Sequence, residues 1–445
     1  MAVSSTVQRS NLFGATRLDA EFYQPKYAEN ETILARFPST VKLGDISSKF
    51  YKGIFDIKAE EYVSEGVPFV RINNLKNGLI EDSNIAFITF DRHLKEARTA
   101  LKRYDLILSK TAYPAASLVQ LEECNCSQDT IVVRTTRSEA FNMYLATFLN
   151  TRFGLLQMER LFQGNIQMHL SLPEAKTIVI PQPGDNFQAH IRQLFERMIW
   201  KRQESQLLYT EAERILISEL ELNIKDYNHQ VAYTRSWSEA ANIHRLDAEY
   251  FQPKFQKAIA LMSRSGKKIK DVAKLVKHRF KPKPGEPFHY IEIGNVGRDG
   301  LLEDELIMGE NAPSRAQWIV RTKDIITSTV RPIRRLTGLI EEEQDGYVCS
   351  SGFAVLRSEG FEPELLMVYL RLPIVCEILD LHTTASMYPA ISVTDLLNIP
   401  ITLPATKARH EIVSRVRASR QALNEAKYLF NEAKVQVERM ILSKE

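Results

Sequence analysis

Residues Arg17 to Tyr27 read RLDAEFYQPKY, and from Arg245 to Phe255 the chain writes RLDAEYFQPKF. The two starts lie 228 positions apart in a chain of 445 residues, so about half of it is said twice. A second duplication agrees. Each half closes on an apolar stretch ending in Ile-Pro, at Ile180-Pro181 and Ile399-Pro400, and a long helical pattern follows soon after. The order is globular unit, long helix, globular unit, long helix. Within the repeated segment Leu18, Phe22 and Tyr23 stand at roughly helical spacing, and Pro25 is tolerated if it opens the next helix. It reads as a docking piece that seats each unit on the helical rod; the competing reading is direct contact with a partner.

The helical patterns are the clearest local signal. From Phe187 to about Leu222, Ile191, Leu194, Met198, Lys201, Ser205, Leu208, Ala212, Ile215, Glu219 and Leu222 step by alternating three and four. From His410 to about Ile441 the same stepping gives Ile412, Val416, Ser419, Leu423, Ala426, Phe430, Ala433, Val437 and Met440. Neither stretch contains Gly or Pro, and at about 1.5 Å per residue each spans on the order of 50 Å. A helix of that length needs a partner for its apolar stripe, and the other copy is the nearest candidate. Antiparallel pairing is the expectation, with the rod fixing the spacing of the units. The polar seam positions Lys201, Ser205, Glu219 and Ser419 make the seam imperfect.

The expected fold is mixed α/β (α+β), with two similar globular domains joined by two long helices pairing as an antiparallel coiled coil. The expected segments are 1–184 and 245–404 for the globular domains, 185–223 and 405–445 for the helices, and 224–244 for a linker. In the first domain VPFVRI (67–72), DLILS (105–109), TIVVR (130–134) and the run 177–181 read as strands. FNMYLATFLN (141–150) and 153–162 read as helices. Asp105, Met168 and Pro181 recur 219 positions later as Asp324, Met387 and Pro400, and Asn74 recurs 221 later as Asn295. At the 219 offset Ser109 meets Ser328, but Lys110-Thr111-Ala112-Tyr113 falls on Thr329-Val330-Arg331-Pro332, which shares no residue with it. That pattern describes a shared scaffold carrying two different readers.

Composition is that of an ordinary globular protein, 44% hydrophobic and 25% charged with net charge +3. No window approaches a membrane span and MAVSSTVQRS lacks a secretory signal's apolar core, so the expected location is cytoplasmic. Cys124, Cys126, Cys349 and Cys376 read as ordinary thiols. There is no phosphate-binding GxxxxGK[ST], no GxGxxG after a strand, no HExxH, GxSxG, NPPY or DPPY, so neither a catalytic residue nor a metal site is expected. His169 and His382 lie in corresponding late loops without ligand partners.

What remains is loop chemistry suited to reading base edges and neutralising phosphate. In the first unit it clusters in Arg71, Asn73, Asn74 and Lys76, in Lys110, Thr111 and Tyr113, and in Gln163, Asn165, Gln167 and His169. In the second, Lys277, His278, Arg279, Lys281 and Lys283 form one group and Arg331, Arg334 and Arg335 another. Asn295 answers Asn74, while Ser386 and Tyr388 answer Gln167 and His169.

VPFVRINNL (67–75), DLILSKT (105–111) and GNIQMHLSLPEAKTIVIPQP (164–183), in this order and in duplicate around heptad helices, make the chain resemble the specificity subunit of a Type I restriction-modification system. The family often has glycine after the SKT-like phrase, where this chain has Ala112-Tyr113 and, in the second copy, Arg331-Pro332. The resemblance implies two target recognition domains, each reading one half of a split double-stranded DNA sequence. It also implies paired helices that set the gap and dock two methyltransferase subunits, with nuclease-translocase subunits in the full complex. It implies no catalysis by the chain itself, and S-adenosylmethionine only in the partner methyltransferase. The near-neutral charge motivates a different reading, a scaffold that bridges two copies of a partner without reading DNA.

Overall fold

The computed structural model describes residues 6, 17, 19–76, 78–82, 85–164, 168–222, 229–243, 245–297, 300–384 and 387–443. It divides into two compact units, Met1–Arg202 with Leu423–Glu445, and Gln203–Ala422. The long helices run Asp185–Glu219 and Thr406–Leu442, so each unit holds one half of each helix together with one globular body.

In the first unit the β-branched runs form a six-stranded sheet in the order 47–52, 130–135, 106–109, 116–118, 78–80 and 75–76. A five-stranded sheet of 62–63, 86–88, 67–70, 123–126 and 101–102 stands beside it. The expected helices are Glu139–Leu149 and Arg152–Leu161, each opened by a hydroxyl cap: Ser138 accepts from the Phe141 amide and Thr151 from the Gly154 amide. Helix Glu139–Leu149 is buried along almost its whole length between the large sheet and the long helices. Leu145, Phe148 and Leu149 share one core with Leu106, Leu118, Ile131, Ile191, Phe195, Ala426 and Phe430. Gly78 is placed at φ +75, where a Cβ would lie 2.3 Å from the Phe430 ring, so only glycine lets the body sit this close to the helix.

The second unit repeats the plan with fewer strands. One sheet orders 273–275, 353–358, 324–328 and 337–339; the other orders 305–308, 287–291, 348–350 and 316–319. Helices Pro363–Arg371 and Pro373–Leu381 take the places of the first unit's pair. The Ile-Pro closes do the same work in both units. Val179–Pro181 pairs antiparallel with Thr40–Lys42, and Pro400–Ile401 with Lys267–Lys268. The carbonyls of Pro181 and Pro400 accept from Tyr144 Oη at 2.9 Å and Tyr369 Oη at 2.6 Å.

The opening motif clamps onto the second helix of its own globular body. Lys26 and Glu159 lie 2.7 Å apart, Arg160 donates to the Phe22 carbonyl at 3.1 Å, and the Arg17 and Arg160 guanidinium groups flank the Phe22 ring at 4.4 and 4.2 Å. In the copy, Lys254 meets Glu377 at 3.0 Å, and Arg245 donates to the Leu381 carbonyl and covers the Tyr250 ring at 4.3 Å. Phe255 does enter the core that contains Leu216 and Leu220 of the first long helix. Leu18 lies outside the described residues.

The helix pairing is antiparallel within each unit: His190 meets Gln436 and Lys201 meets Glu425 in the first, Ser205 meets Ser419 and Glu211 meets Arg415 in the second. Three of the polar seam positions, Lys201, Ser205 and Ser419, are therefore matched rather than defective, while Glu219 is exposed. Ser205 and Ser419 are buried and their hydroxyls lie 3.0 Å apart. The strict heptad reading slips by one residue, however. Ala212, Leu222, Ala426, Phe430, Ala433 and Val437 are buried as the pattern expects, but Tyr209, Leu216 and Leu220 are buried rather than Leu208, Ile215 and Glu219, and Ala422 and Ile441 rather than Leu423 and Met440.

Both scaffolds carry an ion pair with a buried acid at the head of the central strand. Asp105 binds Arg134 and accepts from the Lys102 amide; Asp324, fully buried, binds Arg357 at 2.8 Å and accepts from the Arg321 amide. Removing the acid leaves a buried amide without its acceptor and the guanidinium without its counter-ion, a loss of about 3 kcal/mol. Asp324→Ala is accordingly expected to lower the unfolding free energy of the second unit, read from chemical denaturation, by that amount while amide exchange in the first unit stays as in the parent. The four thiols are buried and held protonated, Cys126 and Cys376 pushed up to about 12 by burial.

Candidate nucleic-acid interface

In the first unit the three polar loops converge at one end of the six-stranded sheet. The 106–109 strand emerges into Lys110, whose amide donates to the Asp129 carbonyl and whose carbonyl accepts from the Leu170 amide, each at 2.8 Å. The Ala112 amide donates to the Met168 carbonyl, and Gln163 and His169 exchange main-chain hydrogen bonds at 2.9 and 2.7 Å. Tyr113 reaches across to donate its hydroxyl to the Ile72 carbonyl at 3.1 Å, which ties the 71–76 turn to the other two loops. Asn73, Tyr113 and His169 are exposed on this end, Arg71, Lys76 and Lys110 are half-buried, and the described part of the third loop also presents Met168.

Three first-unit candidates serve the fold instead. Asn74 is 1% exposed, its Oδ1 accepting from the Arg71 amide and its Nδ2 donating to the Glu81 carbonyl. Thr111 is buried in the bridge to His169. Gln163 is exposed, but its side-chain amide is tied back to the Glu174 carboxylate, which also takes Ser171. An asparagine or threonine in a turn supports either use, and only burial separates them. Asn165, Gln167 and Ser386 lie outside the described residues.

The second unit builds the corresponding end with different residues. The Arg331 amide donates to the Pro389 carbonyl at 2.8 Å, Val330 bridges to Ala390, and the Ile391 amide donates to Thr329. The Arg331 side chain donates to the Met387 carbonyl at 3.2 Å and lies 5.4 Å from the Tyr388 ring, which is 69% exposed. Arg334 is exposed, Asn295 half-buried, and Ile293 of the same turn packs on Gly352, whose carbonyl also holds Thr329. Lys277, His278, Arg279, Lys281 and Lys283 are all exposed; Lys283 meets Glu286 at 3.3 Å. Arg335 turns inward: its Nε donates to the Arg371 carbonyl at 2.6 Å and its Nη2 binds Glu213 of the first long helix.

The two loops share a backbone conformation although they share no residue. Ala112 has φ +63 and Arg331, 219 positions later, φ +50. Both lie in the left-handed region where glycine is relaxed and other residues are strained, and such strain concentrates at binding loops. The preceding turn repeats likewise, with Tyr104 and Lys323 both at φ +69. His382 does not join the interface: it packs edge-on against Tyr250, and burial together with the neighbouring Arg245 pulls its pKa below the ordinary imidazole value. Among the described residues no group of His, Cys, Asp and Glu is arranged to hold a metal, and no helix is long and apolar enough to cross a membrane.

One segment that sequence reading passed over sits in the same cluster. Lys52 ends its strand opposite Ile131, and the Gly53 amide donates to the Thr130 carbonyl at 3.1 Å, next to the Asp129 carbonyl that holds Lys110. Residues 53–58 therefore leave the sheet beside the 110–113 loop. One lysine within the segment, Lys58, and one just before it, Lys52, are too few to stand out by composition; only comparison with the second copy would have found the segment.

No protein-family model and no curated protein matches the chain. Solved structures similar to it over nine-tenths of its length are S subunits of type I restriction-modification systems. The S subunit from M. genitalium is 11% identical, with 91% of this chain and 95% of that one covered at a TM-score of 0.36. The HsdS subunit from Thermoanaerobacter tengcongensis is 17% identical, with 91% and 95% covered at 0.29. A chain from a study of complex assembly in the type I R-M system is 17% identical, with 92% and 97% covered at 0.28.

Proposed function

We propose that the chain is the DNA sequence-recognition subunit of a Type I restriction-modification complex, each unit reading one half of a bipartite double-stranded target. The observation that carries this reading is the duplicated loop end. Two equivalent sheets present converging loops with the same left-handed backbone at Ala112 and Arg331, yet with different side chains. A scaffold repeated for stability alone has no reason to repeat a strained loop while changing every residue in it; a pair of readers for two different half-sites does. Direct readout falls to Asn73, Tyr113 and His169 in one unit, and to Tyr388 in the other, with Lys277–Lys283, Arg331 and Arg334 on phosphate.

In this reading the long helices set the gap between half-sites and dock two methyltransferase subunits, which bring S-adenosylmethionine and all of the methylation chemistry. Nuclease-translocase subunits join the full complex, in the cytoplasm, and the chain itself is not an enzyme. The exposed Trp200 and Tyr428 on the first unit's helix halves, and Leu207 on the second unit's, supply apolar surface for that docking. The test is to express the chain with its methyltransferase partner and sequence the methylated positions in cellular DNA. A two-part motif with a constant gap is expected. Methylation without sequence preference, or preference unchanged when this chain is omitted, overturns the reading.

A further inference from the structure

The strand leading to residues 53–58 superposes, by its pairing, on the strand leading to 277–283. Phe50 opposes Val133, which opposes Leu106; Leu275 opposes Leu356, which opposes Ile325, the residue 219 positions after Leu106. Phe50 is thus the counterpart of Leu275, an offset of 225. At that offset Lys52 falls on Lys277, Phe55 on Phe280 and Lys58 on Lys283. The pattern Lys-x-x-Phe-x-x-Lys is therefore written twice, at the one place in each unit where a fourth segment joins the loop end.

The two phenylalanines are used differently. Phe280 packs on Phe288 with ring centroids 4.6 Å apart, and its amide is held by the Gln317 carbonyl. Phe55 is 63% exposed, a large apolar side chain left in water on a segment that is otherwise firmly fixed. Ile54 beneath it is buried, with its amide on the Cys126 carbonyl at 2.8 Å. A Cβ on Gly53 would lie 2.2 Å from the Ser127 carbonyl oxygen, so the chain is pressed against the neighbouring strand. Arg92 donates to the Phe55 carbonyl at 3.0 Å, and the Lys52 ammonium lies 5.6 Å from the ring. The aromatic ring is thus held outward on a rigid base between two exposed lysines.

We propose that residues 52–58 are a fourth DNA contact of the first unit, in which Phe55 packs against or between bases while Lys52 and Lys58 meet the flanking phosphates. This rests on the DNA-recognition reading above. A ring on a pre-ordered loop contacts a base without loss of conformational freedom, and an aromatic or apolar wedge beside cations is how proteins partly unstack a base step. Because the counterpart Phe280 is folded inward, the contact belongs to the first unit's half-site alone.

The test uses the full chain with its methyltransferase partner and a pool of random-sequence duplexes, sequenced after selection. Phe55→Ala is expected to weaken binding to the duplex enriched by the parent about tenfold and to erode one half-site while leaving the other intact. Phe55→Trp is expected to restore both. The thermal midpoint of Phe55→Ala should match the parent to within a degree or so, since the ring is mostly exposed. If the parent enriches a bipartite motif and Phe55→Ala selects it with equal affinity, the contact is refuted while DNA recognition stands; a uniform loss with both half-sites intact refutes the base contact as well. If the parent enriches no motif, the DNA-recognition reading itself has failed.

Discussion

Arg371→Met is expected to destabilise the second unit by about 4 kcal/mol, the largest stability effect of any single substitution considered. Arg371 is fully buried, and among the described residues no carboxylate pairs with it. Its Nε donates to Tyr209 Oη of the first long helix at 2.8 Å, and its Nη1 to the carbonyls of Thr337 and Arg335, each at 2.7 Å, and of Gly297 at 3.3 Å. Burial raises the Tyr209 hydroxyl to about 12, so it remains a neutral acceptor. Two effects compete. Burying a cation is costly, and replacing a buried charge by an apolar side chain of similar length is often neutral or favourable. Here the acceptors are main-chain carbonyls held by a strand and a turn, which remain behind when the guanidinium is gone, at roughly 1–3 kcal/mol for each one left unmade. The second effect wins, less what is recovered from Nη2, which has no partner among the described residues. For a unit of this size the loss corresponds to roughly 8–16 °C in the unfolding midpoint. Hydrogen exchange should show accelerated opening around residues 297–300 and 335–339 first. Exchange and midpoint unchanged from the parent would mean that the carbonyls find other donors.

The first unit solves the same problem without a charge. Asn150 donates to the Ala116 carbonyl at 2.7 Å, in the strand equivalent to the one Arg371 holds. Neither residue was legible as an anchor in the sequence, where both end ordinary amphipathic helices. What was legible depended on repetition: the opening motif, the Ile-Pro closes, the long helices and the central strands all showed because two copies agreed. Interface residues are the ones that do not agree, so there the sequence offered only residue type. Type misleads wherever a polar side chain can serve either turn or ligand, as Asn74 and Thr111 show by their burial. It also missed the left-handed backbone shared by Ala112 and Arg331, because conformation there is imposed by the surrounding hydrogen bonds rather than by a glycine. The heptad slip has a different origin. The apolar pattern of each long helix averages two jobs, pairing with the other helix and seating a globular body, and the buried stripe follows the body wherever it is broad.

The three arginines of the 331–335 loop, equivalent by composition, separate by geometry into two experiments with opposite results. Arg331→Ala with Arg334→Ala is expected to leave stability within about 0.5 kcal/mol of the parent, since Arg334 is exposed and the Arg331 side chain meets, among the described residues, the Met387 carbonyl and the Tyr388 ring. The same pair should flatten the dependence of log K on log salt by about 2, at roughly 0.9 for each phosphate contact removed. Arg335→Ala is expected to do the reverse. Its guanidinium joins Glu213 of the long helix to the Arg371 carbonyl, with both members of the ion pair mostly shielded from water, and its loss should cost about 2 kcal/mol in unfolding free energy. The salt slope of the folded Arg335→Ala protein should equal that of the parent. Binding isotherms at several salt concentrations, alongside denaturation of each variant, distinguish the two roles. A flattened slope in Arg335→Ala, or an unchanged slope in the double variant, would move the phosphate contacts of the second unit away from this loop and onto the 277–283 segment.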